Sequence, residues 1–212
     1  MVISYPRCAV GKERRHRIWE LAKEHAALRG EFTLGSGLQS SYFFDMKMLT
    51  TLPEARYIIG EEIFEILGDA EIVAVGGLGI GGALMVGSVG LISDLKGYPL
   101  PTFVVRDDRK EHGTEKHIEG NLPRRRGARV AIVDDVITTG GSVSRAIERV
   151  ENEGCKVVKV VVLLDRHQGG SNKLKREGYD FTAILHSDAS GEVTVDEPST
   201  VAGQVEGGAI PK

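Results

Sequence analysis

The chain has 212 residues, 41% of them hydrophobic and 27% charged, with a formal net charge of −3. This is enough for one substantial core in an ordinary globular protein, and the slight acidity argues against a general nucleic-acid binder. Two cysteines, Cys8 and Cys155, make no disulfide framework, and no stretch approaches the ~20 apolar residues of a membrane span. The opening MVISYPRCAVGKERRHR lacks the apolar run of a signal peptide. A cytoplasmic protein with neither a membrane nor a nucleic-acid partner is expected.

In chain order, residues 13–29 (ERRHRIWELAKEHAALR) carry an amphipathic helical period closed by Gly30. FTLGSGLQSSYFFDMKM (32–48) reads as two short extended runs around a Gly/Ser turn. Pro53 opens a helix to about Leu67, with Gly68 just past its end. EIVAV (71–75) is a strand, followed by a glycine-rich turn, a helix near 82–95 and the strand PTFVVR (101–106). DDRKEHGTEKHIEG (107–120) is a charged connection. ARVAIV (128–133) is a strand, 140–154 a helix ending at Gly154, and KVVKVVVLL (156–164) a strand. A helix over 170–177 and the strand YDFTAIL (179–185) complete the pattern. Such alternation, with near-continuous Val/Ile runs, indicates an α/β fold: a mostly parallel sheet with helices on both faces. One domain over 1–190 is expected, with an extended or loose tail at 191–212.

Parallel sheets bind ligands at the carboxyl ends of their strands, which directs attention to two glycine-rich turns. VGGLGIGG (75–82) formally contains the dinucleotide pattern G-x-G-x-x-G at Gly77, Gly79 and Gly82. The acidic partner of that pattern should lie roughly 20 residues on. Asp107 and Asp108 are somewhat too far along and sit in a basic segment. The turn therefore reads better as close helix packing or as a pyrophosphate contact. The second turn, AIVDDVITTGGSV (131–143), passes from buried strand to helix start. Helix N-termini present unpaired N–H groups and partial positive charge, and glycines let a phosphate approach the backbone. The P-loop lysine is missing, which favours a monophosphate over a triphosphate. Thr138 and Ser142 could be plain helix caps, but capping leaves Asp134 and Asp135 unexplained. Two carboxylates beside a phosphate cradle suit a sugar diol or a hydrated Mg²⁺. Phosphate, diol and metal together describe a phosphorylated ribose.

Other features have plainer readings. The 106–117 charge run, taken alone, is a solvated loop, and RRRGAR (124–129) is a solvated turn before a strand. Phe43 and Phe44 on an isolated strand would usually be core. The histidines are scattered, with no Cys/His spacing for zinc, and no side chain is assigned as a metal ligand.

AIVDDVITTGGSV closely resembles the phosphoribosyl-pyrophosphate (PRPP) motif of the type I phosphoribosyltransferase family. The resemblance extends over about residues 20–187 and narrows to the orotate phosphoribosyltransferases. GEFTLGSGLQSSYFFD (30–45) is similar to their base-side segment, VRDDRKEHGTEKHIEG (105–120) to their mobile catalytic loop, and LLDRHQGG (163–170) to their orotate-carboxylate segment. Four matches in order are far more specific than one.

The resemblance implies the type I fold with a small N-terminal hood (about residues 1–50). It implies transfer of 5-phosphoribosyl from PRPP to orotate with Mg²⁺, in pyrimidine (UMP) synthesis, by a homodimer whose loops serve the neighbouring subunit's site. By the same resemblance, Asp134 and Asp135 hold the ribose hydroxyls. Val136, Ile137, Thr138, Thr139, Gly140, Gly141 and Ser142 cradle the 5′-phosphate, with Thr138 also near the base. Gly79, Ile80 and Gly81 take the pyrophosphate, and Arg106, Lys110 and His112 reach it from the loop. Phe43 and Phe44 line the orotate, and Arg166 pairs with its carboxylate. Catalysis falls to Lys110, His112, Asp134 and Asp135. Gly35, Gln39 and Asp107 depart from the family pattern. The alternatives are an enzyme of the same fold acting on another base, and a PRPP-sensing regulator; the net charge and the retained Lys110 and His112 count against the latter.

Overall fold

The computed structural model describes residues 11–33, 39–106, 117–187 and 192–195, and among these the side chains of 39, 40 and 42 are not described. In chain order come α1 (Lys12–His25), β1 (Ala27–Thr33), β2 (Gln39–Phe44) and the short α2 (Met46–Thr50). They are followed by α3 (Pro53–Leu67), β3 (Ala74–Leu78), α4 (Gly79–Leu95), β4 (Thr102–Val105) and β5 (Ile118–Gly120). Then come β6 (Arg129–Ile137), α5 (Gly141–Asn152), β7 (Lys156–Asp165), α6 (Gly170–Arg176), β8 (Asp180–Ser187) and β9 (Val193–Thr194).

Strands β1 and β2 form an antiparallel pair of their own. The other seven make one sheet in the order β5-β4-β3-β6-β7-β8-β9. Its five inner strands are parallel, and the two edges, β5 and β9, are antiparallel. Period-two alternation sorts the inner strands' side chains between two cores. Val133, Val161 and Leu163 pack with Ile18 of α1, Ile59 and Ile63 of α3, and Met85 and Val89 of α4. Ile132, Val160 and Val162 pack with Val143, Ala146, Ile147 and Val150 of α5. Helices thus cover both faces, as the Val/Ile runs required.

The N-terminal elements are fastened to the first of these faces. Arg14, 2% exposed, lies 3.1 Å from Glu62 and 2.8 Å from Glu65 on α3. Asp45 caps α2 by accepting a hydrogen bond from the backbone N–H of Lys47 at 3.2 Å. No helix among the described residues is long and apolar enough to cross a membrane.

Several boundaries differ from the sequence expectation, each for a tertiary reason. The first helix stops at His25, and Ala27 to Arg29, good helix formers, instead pair with Phe44 to Tyr42. Strand β3 occupies 74–78 and not 71–75, so Gly76 and Gly77 are strand. A Cβ on Gly76 would stand 2.2 Å from the Phe103 ring, and one on Gly77 2.2 Å from Gly82 O. These glycines serve close packing. Strand β6 continues through Asp134 and Asp135 to Ile137, paired along β7. β5 emerges inside the segment read as a charged connection, and β9 turns part of the expected tail into a sheet edge.

Candidate active site

From β3 the chain passes through α4 to β4 on one side, while β6 lies on the other. The carboxyl ends of β3 and β6 are therefore side by side where the winding direction reverses, the position at which open α/β sheets form a ligand crevice. The two glycine-rich turns meet there. Gly79 starts α4 at φ +56°, within the left-handed region that favours glycine. Two residues on, Gly81 lies against the Asp135 carboxylate: a Cβ at Gly81 would be 2.3 Å from Cγ of Asp135. Ile80, between them, is 73% exposed.

The adjacent aspartates are accommodated by backbone donors. The N–H of Asp135 donates to Asp134 Oδ1 at 2.9 Å, and that of Val136 donates to Asp135 Oδ1 at 3.0 Å. Asp134 is buried and Asp135 half-buried. Burial pushes the Asp135 carboxyl above the usual aspartate range, opposed by the positive charge of Lys47 and by the hydrogen bond to Asp134. Lys47 is held in its charged form chiefly by Asp45, whose Oδ1 is 2.9 Å from its Nζ, with Asp135 contributing. Sequence reasoning missed Lys47. Its only signal was a cation two residues beyond the base-side segment, and its relation to Asp135 arises from packing α2 over β6.

Beyond the aspartates, Ile137 is core and Thr138 half-buried, while Thr139 and Ser142 are exposed. Gly140, at φ +79°, caps α5 without any side-chain capping bond. The plain capping reading of Thr138 and Ser142 therefore fails: Ser142 Oγ accepts a hydrogen bond from Arg145 at 3.1 Å. The start of α5 presents backbone N–H groups, as an anion cradle needs.

This loop is clasped to the turn after β7. The N–H of Arg166 donates to Ile137 O at 3.0 Å, and that of Gly170 donates to Thr138 O at 2.9 Å. Only glycine fits at 170, where a Cβ would approach Thr138 O to 2.6 Å and Gly140 N to 2.7 Å. Arg166, 5% exposed, is thereby brought beside the loop.

On the other flank, the backbone N–H of Arg106 donates to His117 O at 2.8 Å and closes the stem of the β4–β5 hairpin. Arg149 on α5 donates to Arg106 O. Arg106 Nε is buried with no hydrogen-bond partner among the described residues. Lys110, His112 and Asp107 lie outside the described residues, as does Gly35. Phe44 is packed into the larger core, and Phe43 is half-buried with its ring 5.5 Å from that of Phe32. The site thus brings together Gly79, Gly81, Asp134, Asp135, the 136–142 segment, Arg106 and Arg166 around the carboxyl ends of β3, β4, β6 and β7.

Residues 45–189 match the phosphoribosyl transferase domain family. The orotate phosphoribosyltransferase of Bradyrhizobium diazoefficiens is 38% identical over 173 residues, covering 80% of this chain and 92% of that protein. The crystal structure of the Aeropyrum pernix orotate phosphoribosyltransferase aligns with a TM-score of 0.68 at 33% identity, over 80% of this chain and 93% of that one. The Mycobacterium tuberculosis H37Rv orotate phosphoribosyltransferase in complex with PRPP aligns at 0.67 and 30% identity, over 82% and 96%. With this domain match and these relatives covered almost end to end, the chain belongs to the orotate phosphoribosyltransferase family.

Proposed function

We propose that the chain transfers the 5-phosphoribosyl group of PRPP to orotate, giving orotidine 5′-phosphate and pyrophosphate in pyrimidine biosynthesis. The observation that carries this reading is the Asp134/Asp135 pair, set between the Gly79–Gly81 turn and an uncapped helix start, with Arg166 clasped to the same loop.

In the proposed mechanism, the bond from the anomeric carbon to the pyrophosphate oxygen breaks as the bond to the orotate ring nitrogen forms, and the proton of that nitrogen is released to water. Positive charge develops on the ribose ring, as in other glycosyl transfers. Asp134 and Asp135 accept hydrogen bonds from the ribose hydroxyls and stabilise that charge through space. The N–H groups at the start of α5, with Thr138, Thr139 and Ser142, hold the 5′-phosphate. Gly79, Ile80 and Gly81 offer backbone to the pyrophosphate. Arg106, whose Nε is buried without a partner among the described residues, joins Lys110 and His112 in drawing off its charge. Arg166 binds the orotate carboxylate, for which its planar fork is suited, and Phe43 bounds the base side, while Phe44, on the opposite face of β2, supports it from the core.

The residues fit Mg²⁺ as well. Two adjacent carboxylates, one with its ionisation resisted by burial, are hard oxygen donors whose mutual repulsion a hydrated cation offsets. Mg²⁺ when bound supplies charge neutralisation for the pyrophosphate. The working form is a cytoplasmic homodimer in which Lys110 and His112 complete the neighbouring subunit's site.

The deciding experiment follows orotate consumption spectrophotometrically with PRPP and Mg²⁺, beside uracil, hypoxanthine and adenine. Turnover of orotate alone is expected. Turnover of another base in its place would overturn the assignment.

A further inference from the structure

A second cluster of metal-ligand side chains lies at the carboxyl ends of β7 and β8, outside the roles assigned above. We propose that Asp165, His167 and His186 bind a first-row divalent transition ion of the Zn²⁺ or Co²⁺ class.

Asp165 and His186 are register partners on adjacent parallel strands, so their side chains leave the sheet on the same face. His167 follows the end of β7 at φ +50°, a conformation non-glycine residues seldom adopt. Its backbone N–H donates to Asp165 Oδ1 at 2.8 Å. Its ring stacks on that of His186, with centroids 5.1 Å apart and planes inclined by 22°. His167 Nε2 then stands 3.0 Å from His186 Nδ1, and His167 Nδ1 is 3.7 Å from Asp165 Oδ2. One ligand atom from each of the three residues lies within 4.8 Å of the other two.

Coordination geometry fits this spacing. Metal–nitrogen bonds of about 2.1 Å at right angles place two donor atoms about 3.0 Å apart, and a tetrahedral angle opens them to about 3.4 Å. The imidazole pair needs little or no movement. The 3.7 Å contact of Asp165 is to the other nitrogen of His167, and an imidazole gives one nitrogen to a given ion. The three donors lie within 4.8 Å of one another, so side chains close in by up to about 1.4 Å to complete a two-histidine, one-carboxylate face at a tetrahedral ion. Three protein donors leave positions for water, and the His167 side chain, 26% exposed, opens the site to solvent.

The donor set also selects the ion. Imidazole nitrogen suits Zn²⁺, Co²⁺ and Ni²⁺, whereas Mg²⁺ prefers oxygen and keeps its water. The Asp134/Asp135 pair, all oxygen, has the opposite preference, so the two sites would fill independently. Asp165 and His167 flank Arg166 in sequence, and a bound ion would pin the turn that carries it.

The test titrates Co²⁺ into the chelator-stripped full chain, with excess Mg²⁺ present, and follows visible d–d absorption. Absorption saturating at one equivalent is expected. His186→Ala and His167→Ala should each weaken binding by about a hundredfold or more, since even outer-sphere substitutions act on that scale. Asp134→Asn/Asp135→Asn should leave the titration unchanged. His186→Gln, a conservative second variant, must lose binding too, with near-ultraviolet circular dichroism confirming that it folds. A folded wild-type chain that develops no absorption would overturn the proposal. So would absorption that survives both His186 variants or disappears with the Asp134/Asp135 pair.

Discussion

The carboxylate of Asp135 lies directly over the α-carbon of Gly81, so closely that a methyl group there would stand 2.4 Å from Oδ2. Two turns that are far apart in sequence therefore share one surface, and neither can change alone. Gly81→Ala must displace Asp135 or tilt the start of α4. A misplacement of about 1 Å at a reacting centre costs on the order of a hundredfold in rate, and that fall in kcat/KM is expected with the fold retained. Gly87→Ala is the control. Gly87 sits on the same helix with its nearest neighbour, Arg56, at 3.9 Å, so activity should be unchanged and stability gained by about 0.5–1 kcal/mol. Equal activity losses in both variants would mean that α4 is damaged generally.

The double change Asp134→Asn/Asp135→Asn should remove several kcal/mol of transition-state stabilisation, read from kcat/KM, without unfolding the chain. Stability should move the other way. Because burial raises the Asp135 pKa, its contribution to stability is fully present below the unfolded pKa and is lost as pH rises through the folded one. The single variant Asp135→Asn should accordingly melt above wild type at pH 7 to 8 in the absence of PRPP. The gap should close below the ordinary aspartate range. A lower melting temperature at neutral pH would show that the charge is already compensated in the free protein.

Lys47 lowers the Asp135 pKa from outside the sugar cradle. Removing it as Lys47→Ala should move the acid limb of the kcat/KM–pH profile to higher pH, since that profile reports groups of the free enzyme. The alkaline limb should stay in place. An unmoved acid limb would separate Lys47 from the titration of the pair.

Arg166→Ala should raise the KM for orotate by about tenfold to a hundredfold, the scale of a lost charged hydrogen-bond pair, and the KM for PRPP far less. The asymmetry matters because Arg166 is buried: general damage to the turn would raise both.

Complementation tests the proposed sharing of each site between two subunits. Subunits carrying Lys110→Ala and subunits carrying Asp134→Asn/Asp135→Asn should each be inactive alone and recover activity when mixed, because one site of each mixed dimer retains both intact parts. Demonstrated subunit exchange without recovery would place Lys110 in its own subunit's site or outside the reaction.

The sheet was legible because its inner strands are buried on both faces and leave long Val/Ile runs with unmistakable ends. The acid pair and the glycine turns were legible because their chemistry is contiguous in sequence. What could not be read depends on pairing across the fold. Residues 27–29 look helical until Phe43 and Phe44 are opposite them. Gly76 and Gly77 look like a turn until the Phe103 ring and Gly82 press on them. Lys47 gains meaning only when α2 packs over β6. His167 and His186 are separated by a helix and a strand, and no spacing rule joins residues that meet through the register of parallel strands.

The two backbone bonds from Arg166 and Gly170 to the 137–138 carbonyls have a consequence for how the substrates meet. They fuse the phosphate cradle and the arginine turn into a single stiff body, so a shift of either part on binding its own ligand is passed to the other. Orotate and PRPP are then thermodynamically linked: the factor by which one tightens the other's affinity must be the same in either direction.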